Sequence, residues 1–92
     1  MILSFRDKDT EAVFRQKRVR RFQLVERAAI RRLVQIDSAR ELRDLASPPA
    51  NRLEALRGDR AGQYSVRIND QYRICFRWKD SDAYDVEITD YH

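Results

Sequence analysis

The chain has 92 residues, 42% hydrophobic and 37% charged, with 19 Lys and Arg against 15 Asp and Glu and a net charge of +4. A chain this short buries only about 65% of the surface its unfolded form exposes, so nearly every apolar side chain is committed to packing and one domain over residues 1–92 is expected. No run approaches the roughly 18 apolar residues of a membrane span, and Arg6 interrupts the opening apolar stretch too soon for a secretory signal, so a cytoplasmic protein with no membrane partner is expected.

Ile2-Leu3-Ser4-Phe5 reads as a short opening strand. Asp9 or Thr10 then caps a helix of about two turns through residues 11–16. Lys17-Arg18-Val19-Arg20-Arg21 breaks the apolar rhythm. Phe22, Val25, Ala29, Leu33 and Ile36 follow at steps of three and four, the spacing of one amphipathic helix with Glu26, Arg27, Arg31, Arg32 and Gln35 on its wet face. Ser38 and Glu41 have the spacing of a capping box, which starts a third helix through Leu42 and Leu45 that Ser47-Pro48-Pro49 ends.

From Asn51 the period changes to two, with Leu53 and Leu56 in a strand that runs into the turn at residues 58–62. Tyr64, Val66 and Ile68 alternate with polar residues, Asn69-Asp70 turns the chain, and Tyr72, Ile74, Phe76 and Trp78 continue on a second strand. After Lys79-Asp80-Ser81-Asp82 a last strand places Tyr84, Val86 and Ile88 on one face and Asp85, Glu87 and Thr89 on the other. The expected class is α+β, with helices first and an antiparallel meander after. If the Tyr/Val/Ile/Phe/Trp face packs on the helices, Arg67, Arg73 and Arg77 share an exposed basic face.

Cys75 is the only cysteine and His92 the only histidine. An internal disulfide and a Cys-based zinc site both need more ligands than that. A Ser-His-Asp or Cys-His nucleophile system would have to be built on the last residue.

Residues 1–32 carry ten Lys/Arg and four Asp/Glu, and 16 of the 19 basic residues are Arg, the side chain suited to bidentate phosphate contact. Nucleic acid is the natural partner, although a solvated surface explains the charge equally simply. Three places stand out for chemistry. The row Arg67, Arg73 and Arg77, near the turn holding Arg57 and Arg60, can clamp a phosphate or pair across strands with Asp85 and Glu87. Asp90, Tyr91 and His92 follow the last strand and carry groups that accept or donate protons, or form a frayed tail. Glu54 is a lone carboxylate among arginines, a base or an ordinary ion pair with Arg52 or Arg57.

Together Arg57-Gly58-Asp59-Arg60-Ala61-Gly62, Tyr64-Ser65-Val66-Arg67-Ile68, Tyr72-Arg73-Ile74-Cys75-Phe76 and the terminal Asp90-Tyr91-His92 resemble the HigB group of the RelE superfamily of toxins. The likeness covers essentially the whole chain, and residues 47–56 resemble the GraT-like branch. It implies a single toxin domain over 1–92, with N-terminal helices on one face of a curved, mainly antiparallel sheet. It also implies an endoribonuclease of a type II toxin-antitoxin system that cuts mRNA in the ribosomal A site without metal or other cofactor. The implied partners are a HigA-like helix-turn-helix antitoxin, the ribosome and its mRNA, with operator DNA bound only through the antitoxin complex and the toxin alone a monomer. The catalytic residues carried over are Arg73, Asp90, Tyr91 and His92, with Arg57 where relatives have Lys and Glu54 where several have His.

On that reading Arg18, Arg20, Arg21, Arg27, Arg31 and Arg32, with Arg60, Arg67 and Arg77, contact RNA. A non-catalytic RNA- or ribosome-binding module, or a degenerate toxin acting as transcriptional co-regulator with its antitoxin, fits the same basic surface.

Overall fold

The computed structural model describes residues 1–90; Tyr91 and His92 lie outside the described residues. Helix α1 spans Lys8–Phe14, and its cap is Asp7 rather than Asp9 or Thr10. Asp7 is extended, with φ −141° and ψ 160°, and its carboxylate accepts from the Thr10 amide at 2.7 Å and the Thr10 hydroxyl at 3.1 Å. Asp9 and Glu11 then lie in the first turn, where a negative charge suits the helix dipole. Thr10 is buried, and its hydroxyl oxygen accepts from the Ile88 amide at 3.0 Å, which ties the helix to the last strand.

The single helix expected from Phe22 to Ile36 is two elements, a 3-10 turn at Arg20–Val25 and helix α2 at Glu26–Ser38. They join at Val25, whose φ of −114° and ψ of 6° depart from helical values. The apolar spacing nevertheless marks what is buried: Phe22, Ala29, Leu33 and Ile36 are all at 0% exposure. Ser38 ends α2 instead of capping the next helix. The capping box forms one turn later, between Glu41 and Asp44, and opens a 3-10 turn at Leu42–Ala46. Asp44 accepts from the Glu41 amide at 3.0 Å and the Arg40 amide at 3.1 Å, and these two donors hold its carboxyl below the usual carboxylate range.

Strands β1 (Glu54–Ala55), β2 (Gln63–Arg67), β3 (Tyr72–Lys79) and β4 (Asp82–Asp90) form one antiparallel sheet in that order. The strand expected from Asn51 shrinks to two residues, because Pro49–Asn51 forms another 3-10 turn that leaves Arg52 in the left-handed region at φ 45°. Asp80 and Ser81 both have positive φ, at 52° and 67°, as a two-residue hairpin between Lys79 and Asp82 requires. The opening strand is reduced to parallel bridges from Ile2 to Ala83 and from Phe5 to Val86.

Register and burial agree that Val66, Ile74, Phe76, Val86 and Ile88 meet the helices' Val13, Phe22, Ala29, Leu33 and Ile36 in one core. β4 departs from simple alternation. Cys75 pairs with Glu87 but Arg77 pairs with Tyr84, so one extra β4 residue stands opposite Phe76. Ala83, not Tyr84, therefore takes the core position, at 0% exposure. Asp85 sits in the bulge at φ 52°, its amide donating to the Ser4 hydroxyl at 2.9 Å.

Asn51 anchors the segment before β1. Wholly buried, its Nδ2 donates to the carbonyls of Leu45 at 3.1 Å and Ser47 at 3.3 Å and to Gln35 Oε1 at 3.2 Å. Asn51→Ala leaves these buried acceptors without their donor and is expected to cost about 2 kcal/mol. Urea unfolding checks it: the midpoint falls at an unchanged slope, and an unmoved midpoint refutes the anchoring role.

Candidate functional site

The sheet face away from the helices carries the polar half of the alternation. Arg67 and Arg73 pair across β2 and β3, Ser65 faces Cys75, and Gln63 faces Arg77. Arg67, Arg73 and Arg77 do share this face, as the two-residue period predicts, but they are not an exposed row. Gln63, Ser65, Arg73 and Cys75 are all buried, Arg73 at 8% exposure.

Burial forces Arg73 to find partners, because a guanidinium remains charged at any physiological pH. Its Nε donates to Ser65 Oγ at 2.8 Å, and its Nη2 to the Arg52 carbonyl at 2.6 Å and the Ser65 carbonyl at 3.5 Å. The same Nη2 lies 3.8 Å from Glu54 Oε2. Glu54 thus pairs with Arg73, not with Arg52 or Arg57. β1 brings it there, since Glu54 is registered against Ser65. Glu54 itself is about half exposed, so a carboxylate open to solvent stands beside a guanidinium fixed in the protein. That pairing can accept a proton and offset charge building on a bound phosphate.

The other predicted residues are more dispersed. Asp90 pairs with Tyr72 at the end of β4, one step out of phase with Arg73 and Thr89, and its carboxylate accepts from Gln71 Nε2 at 3.0 Å. Arg57 is exposed where the 3-10 turn Gly58–Arg60 begins. Arg60 contacts Glu87 Oε1 at 3.1 Å and Gln63 Oε1 at 3.1 Å, so Glu87 serves Arg60 rather than the arginine row. Arg67 is bonded to Asp70, and Arg77 lies 3.5 Å from Asp85. Tyr91 and His92 lie outside the described residues.

Arg18, Arg20, Arg21, Arg27 and Arg31 are exposed, and Arg18, Arg20 and Arg21 line a groove of about 520 Å³ with Asp9, Ala12, Lys17 and Val19. Arg21 is partly engaged, 3.0 Å from Asp9 and stacked 4.3 Å from the Phe22 ring centre. Arg32 is half-buried, donates to the Arg67 carbonyl at 3.1 Å, and has its pKa lowered by burial and then by the charges of Arg31 and Arg67. Among the described residues no group of three or more His, Cys, Asp or Glu comes together that could hold a metal ion. Among the same residues no helix is long and apolar enough to cross a membrane.

Ser65 and the Arg52 carbonyl escape sequence reasoning, for different reasons. A serine on the polar side of a strand looks like any solvated serine, and a backbone acceptor leaves no trace in the sequence. The weak signal was Asn51-Arg52 after two prolines, where a short turn can end in the left-handed region.

The family model for the RelE-like toxin of type II toxin-antitoxin system HigB matches residues 3–92. Toxin HigB-1 of Vibrio cholerae serotype O1 is 39% identical over 85 residues, 90% of each chain. Endoribonuclease HigB of Proteus vulgaris is 38% identical over 61 residues, covering 66% of this chain and 65% of that one. In structure, a chain of the heterotetrameric YoeB-YefM toxin-antitoxin complex from Staphylococcus aureus superposes with a TM-score of 0.58. It covers 100% of this chain and 98% of that one at 17% identity, a likeness of fold.

Cys75 lies on the floor of the polar face, opposite Ser65 and Glu87, and burial pushes its thiol pKa up. The folded state therefore holds the proton more tightly than the unfolded chain does. Its contribution to stability is complete below the unfolded thiol pKa of about 8.5 and is lost as pH rises from there through the folded value. Urea unfolding between pH 7.5 and 10 should show stability falling, and Cys75→Ala should flatten that fall; equal slopes for the two proteins refute it.

Proposed function

Because this chain belongs to the HigB-like family of RelE-like toxins of type II toxin-antitoxin systems, we propose that it is an endoribonuclease that cuts mRNA in the ribosomal A site during translation. The observation that carries the chemistry is the buried Arg73 guanidinium with the open Glu54 carboxylate 3.8 Å away. The name of the Proteus vulgaris relative, Endoribonuclease HigB, supports the endoribonuclease part of this reading.

In the reaction the 2′-hydroxyl of the A-site nucleotide attacks its own 3′-phosphate. The 2′-oxygen–phosphorus bond forms, the bond from phosphorus to the 5′-oxygen breaks, and the products are a 2′,3′-cyclic phosphate and a 5′-hydroxyl. Arg73 balances the charge that builds on the phosphoryl oxygens, a preorganised cation that need not reorient during reaction. Arg57, exposed at the start of the Gly58–Arg60 turn, adds a second cation. Glu54 takes the 2′-hydroxyl proton; its place beside Arg73 favours it over Asp90, whose carboxylate is engaged by Gln71. His92 gives a proton to the departing 5′-oxygen and Tyr91 positions the base, roles that rest on the sequence resemblance. No metal or other cofactor takes part in this scheme.

The exposed arginines of the first third, Arg18, Arg20, Arg21, Arg27 and Arg31, with the half-buried Arg32, hold ribosomal RNA through phosphates, so association weakens steeply as salt rises. Arg60, Arg67 and Arg77 lie along the mRNA side. The protein works in the cytoplasm as a single toxin domain over 1–92, monomeric when alone. It is held in check by a HigA-like helix-turn-helix antitoxin, through which the complex reaches operator DNA.

The test uses a defined mRNA with and without ribosomes stalled with an empty A site, and maps the 5′ ends that appear. Cuts at the A site only in the ribosomal sample are expected. Arg73→Ala should slow them by at least 100-fold while ribosome binding persists, the scale expected for losing a main charge stabiliser. A folded, ribosome-bound protein that cuts in neither sample would instead be a binding module.

A further inference from the structure

The β4 bulge turns one aromatic ring away from the core. Among the described residues Tyr64, Tyr72, Phe76 and Trp78 all lie in or against the hydrophobic core, whereas Tyr84 does not. Tyr84 pairs with Arg77, and because β3 keeps its two-residue period throughout, Arg73, Cys75 and Arg77 project from the same face. Tyr84 therefore stands on the polar side, four β3 residues along from the Arg73 level, on the order of 13 Å away.

A cleft of about 350 Å³ opens there, lined by Arg77, Lys79, Tyr84 and Asp85. Its construction is specific. Asp85 holds the bulge in a left-handed conformation, φ 52°, that non-glycine residues rarely adopt and that recurs where a side chain is re-aimed for use. Gly62, at φ 89°, leaves the room for the Arg77 guanidinium: a Cβ at that position would stand 3.3 Å from Arg77 Nη1. Two cations, Arg77 and Lys79, line the cleft beside the ring, with Asp85 3.5 Å from the Arg77 guanidinium. An aromatic face beside cations, on the face that holds the scissile chemistry, is the combination that binds one unit of a single-stranded nucleic acid.

We propose that this cleft is a nucleotide subsite for the mRNA, the Tyr84 ring stacking on one base flanking the cut while Arg77 and Lys79 hold its phosphate. The inference takes its ligand from the RNA-cleaving reading above. Stacking accepts any base, so the subsite aligns the strand across Arg73 without imposing a sequence.

The experiment titrates the folded protein at low salt with a fluorescent single-stranded RNA oligonucleotide, intact or carrying one abasic position. Tyr84→Ala should weaken binding of intact RNA on the order of tenfold, and Tyr84→Phe, which keeps the ring, should bind like the parent. At one abasic position the parent should fall to the Tyr84→Ala level, with no further loss in the variant. Equal binding by parent and Tyr84→Ala overturns the subsite, as does a Tyr84 requirement seen for a peptide partner and not for RNA. Cleavage of ribosome-bound mRNA is scored separately. Tyr84-dependent RNA binding without any cutting supports the subsite while refuting the nuclease reading; unchanged cutting and binding by Tyr84→Ala refutes the subsite alone.

Discussion

A charged guanidinium buried in the polar face of a small sheet is the constraint around which the second half of this protein is arranged. Arg73 cannot shed its charge and is almost out of reach of water, so the surrounding chain must supply acceptors at hydrogen-bond distance. Ser65 supplies a hydroxyl and a carbonyl from the neighbouring strand, and Arg52 supplies a carbonyl from outside the sheet. The second of these needs the 3-10 turn Pro49–Asn51 and the left-handed Arg52 that ends it, and that turn needs the buried Asn51 amide. Glu54 then follows two residues later on β1 and arrives beside the same guanidinium. The conformation of residues 49–54 is thus one requirement met in several steps. Lysine, a point charge without a planar fork, cannot satisfy the same set of acceptors.

The two faces of the sheet divide the work. The helix side, with Phe76, Ile74, Val86 and Ile88 against Phe22, Leu33 and Ile36, supplies the apolar burial that holds a short chain together. The other side concentrates polar and charged groups whose orientation is set by strand register rather than by loops, which gives a rigid base for chemistry. The bulge in β4 is where the two meet. It keeps Ala83 and Val86 in the core while releasing Tyr84 to the polar side. Fold and site are linked most directly there.

Much of this was legible in the sequence. Alternation of Tyr64-Val66 and of Tyr72-Ile74-Phe76-Trp78 located β2 and β3 and assigned their faces, and Asp80-Ser81 marked the hairpin. The spacing of Phe22, Ala29, Leu33 and Ile36 identified the buried residues even though the backbone changes from a 3-10 turn to an α-helix at Val25. The failures have physical causes. Asp7 displaced Asp9 and Thr10 as the cap because its carboxylate reaches the Thr10 amide, and Ser38 lost its capping role to Glu41 because α2 runs on through it. A bulge inserts one residue and inverts parity beyond it, so alternation alone puts Tyr84 on the wrong face. Alternation also says which side a residue takes but not whether that side is open, which is why Arg73 looked exposed. Of the candidate site, Arg73 and Glu54 come together, Asp90 lies out of phase with them, and Tyr91 and His92 fall outside the described residues.

Ser65 Oγ, 2.8 Å from Arg73 Nε, sets the aim of the guanidinium beside Glu54, and a double-mutant cycle on cleavage of ribosome-bound mRNA checks that dependence. Ser65→Ala should slow cleavage about tenfold in the parent, with half-saturating concentration unchanged, since only the aim of the guanidinium is lost. In an Arg73→Lys background, where the Nε donor is absent, the same substitution should change the rate little. Equal losses in both backgrounds would show that Ser65 matters to the sheet and not to the aim of Arg73.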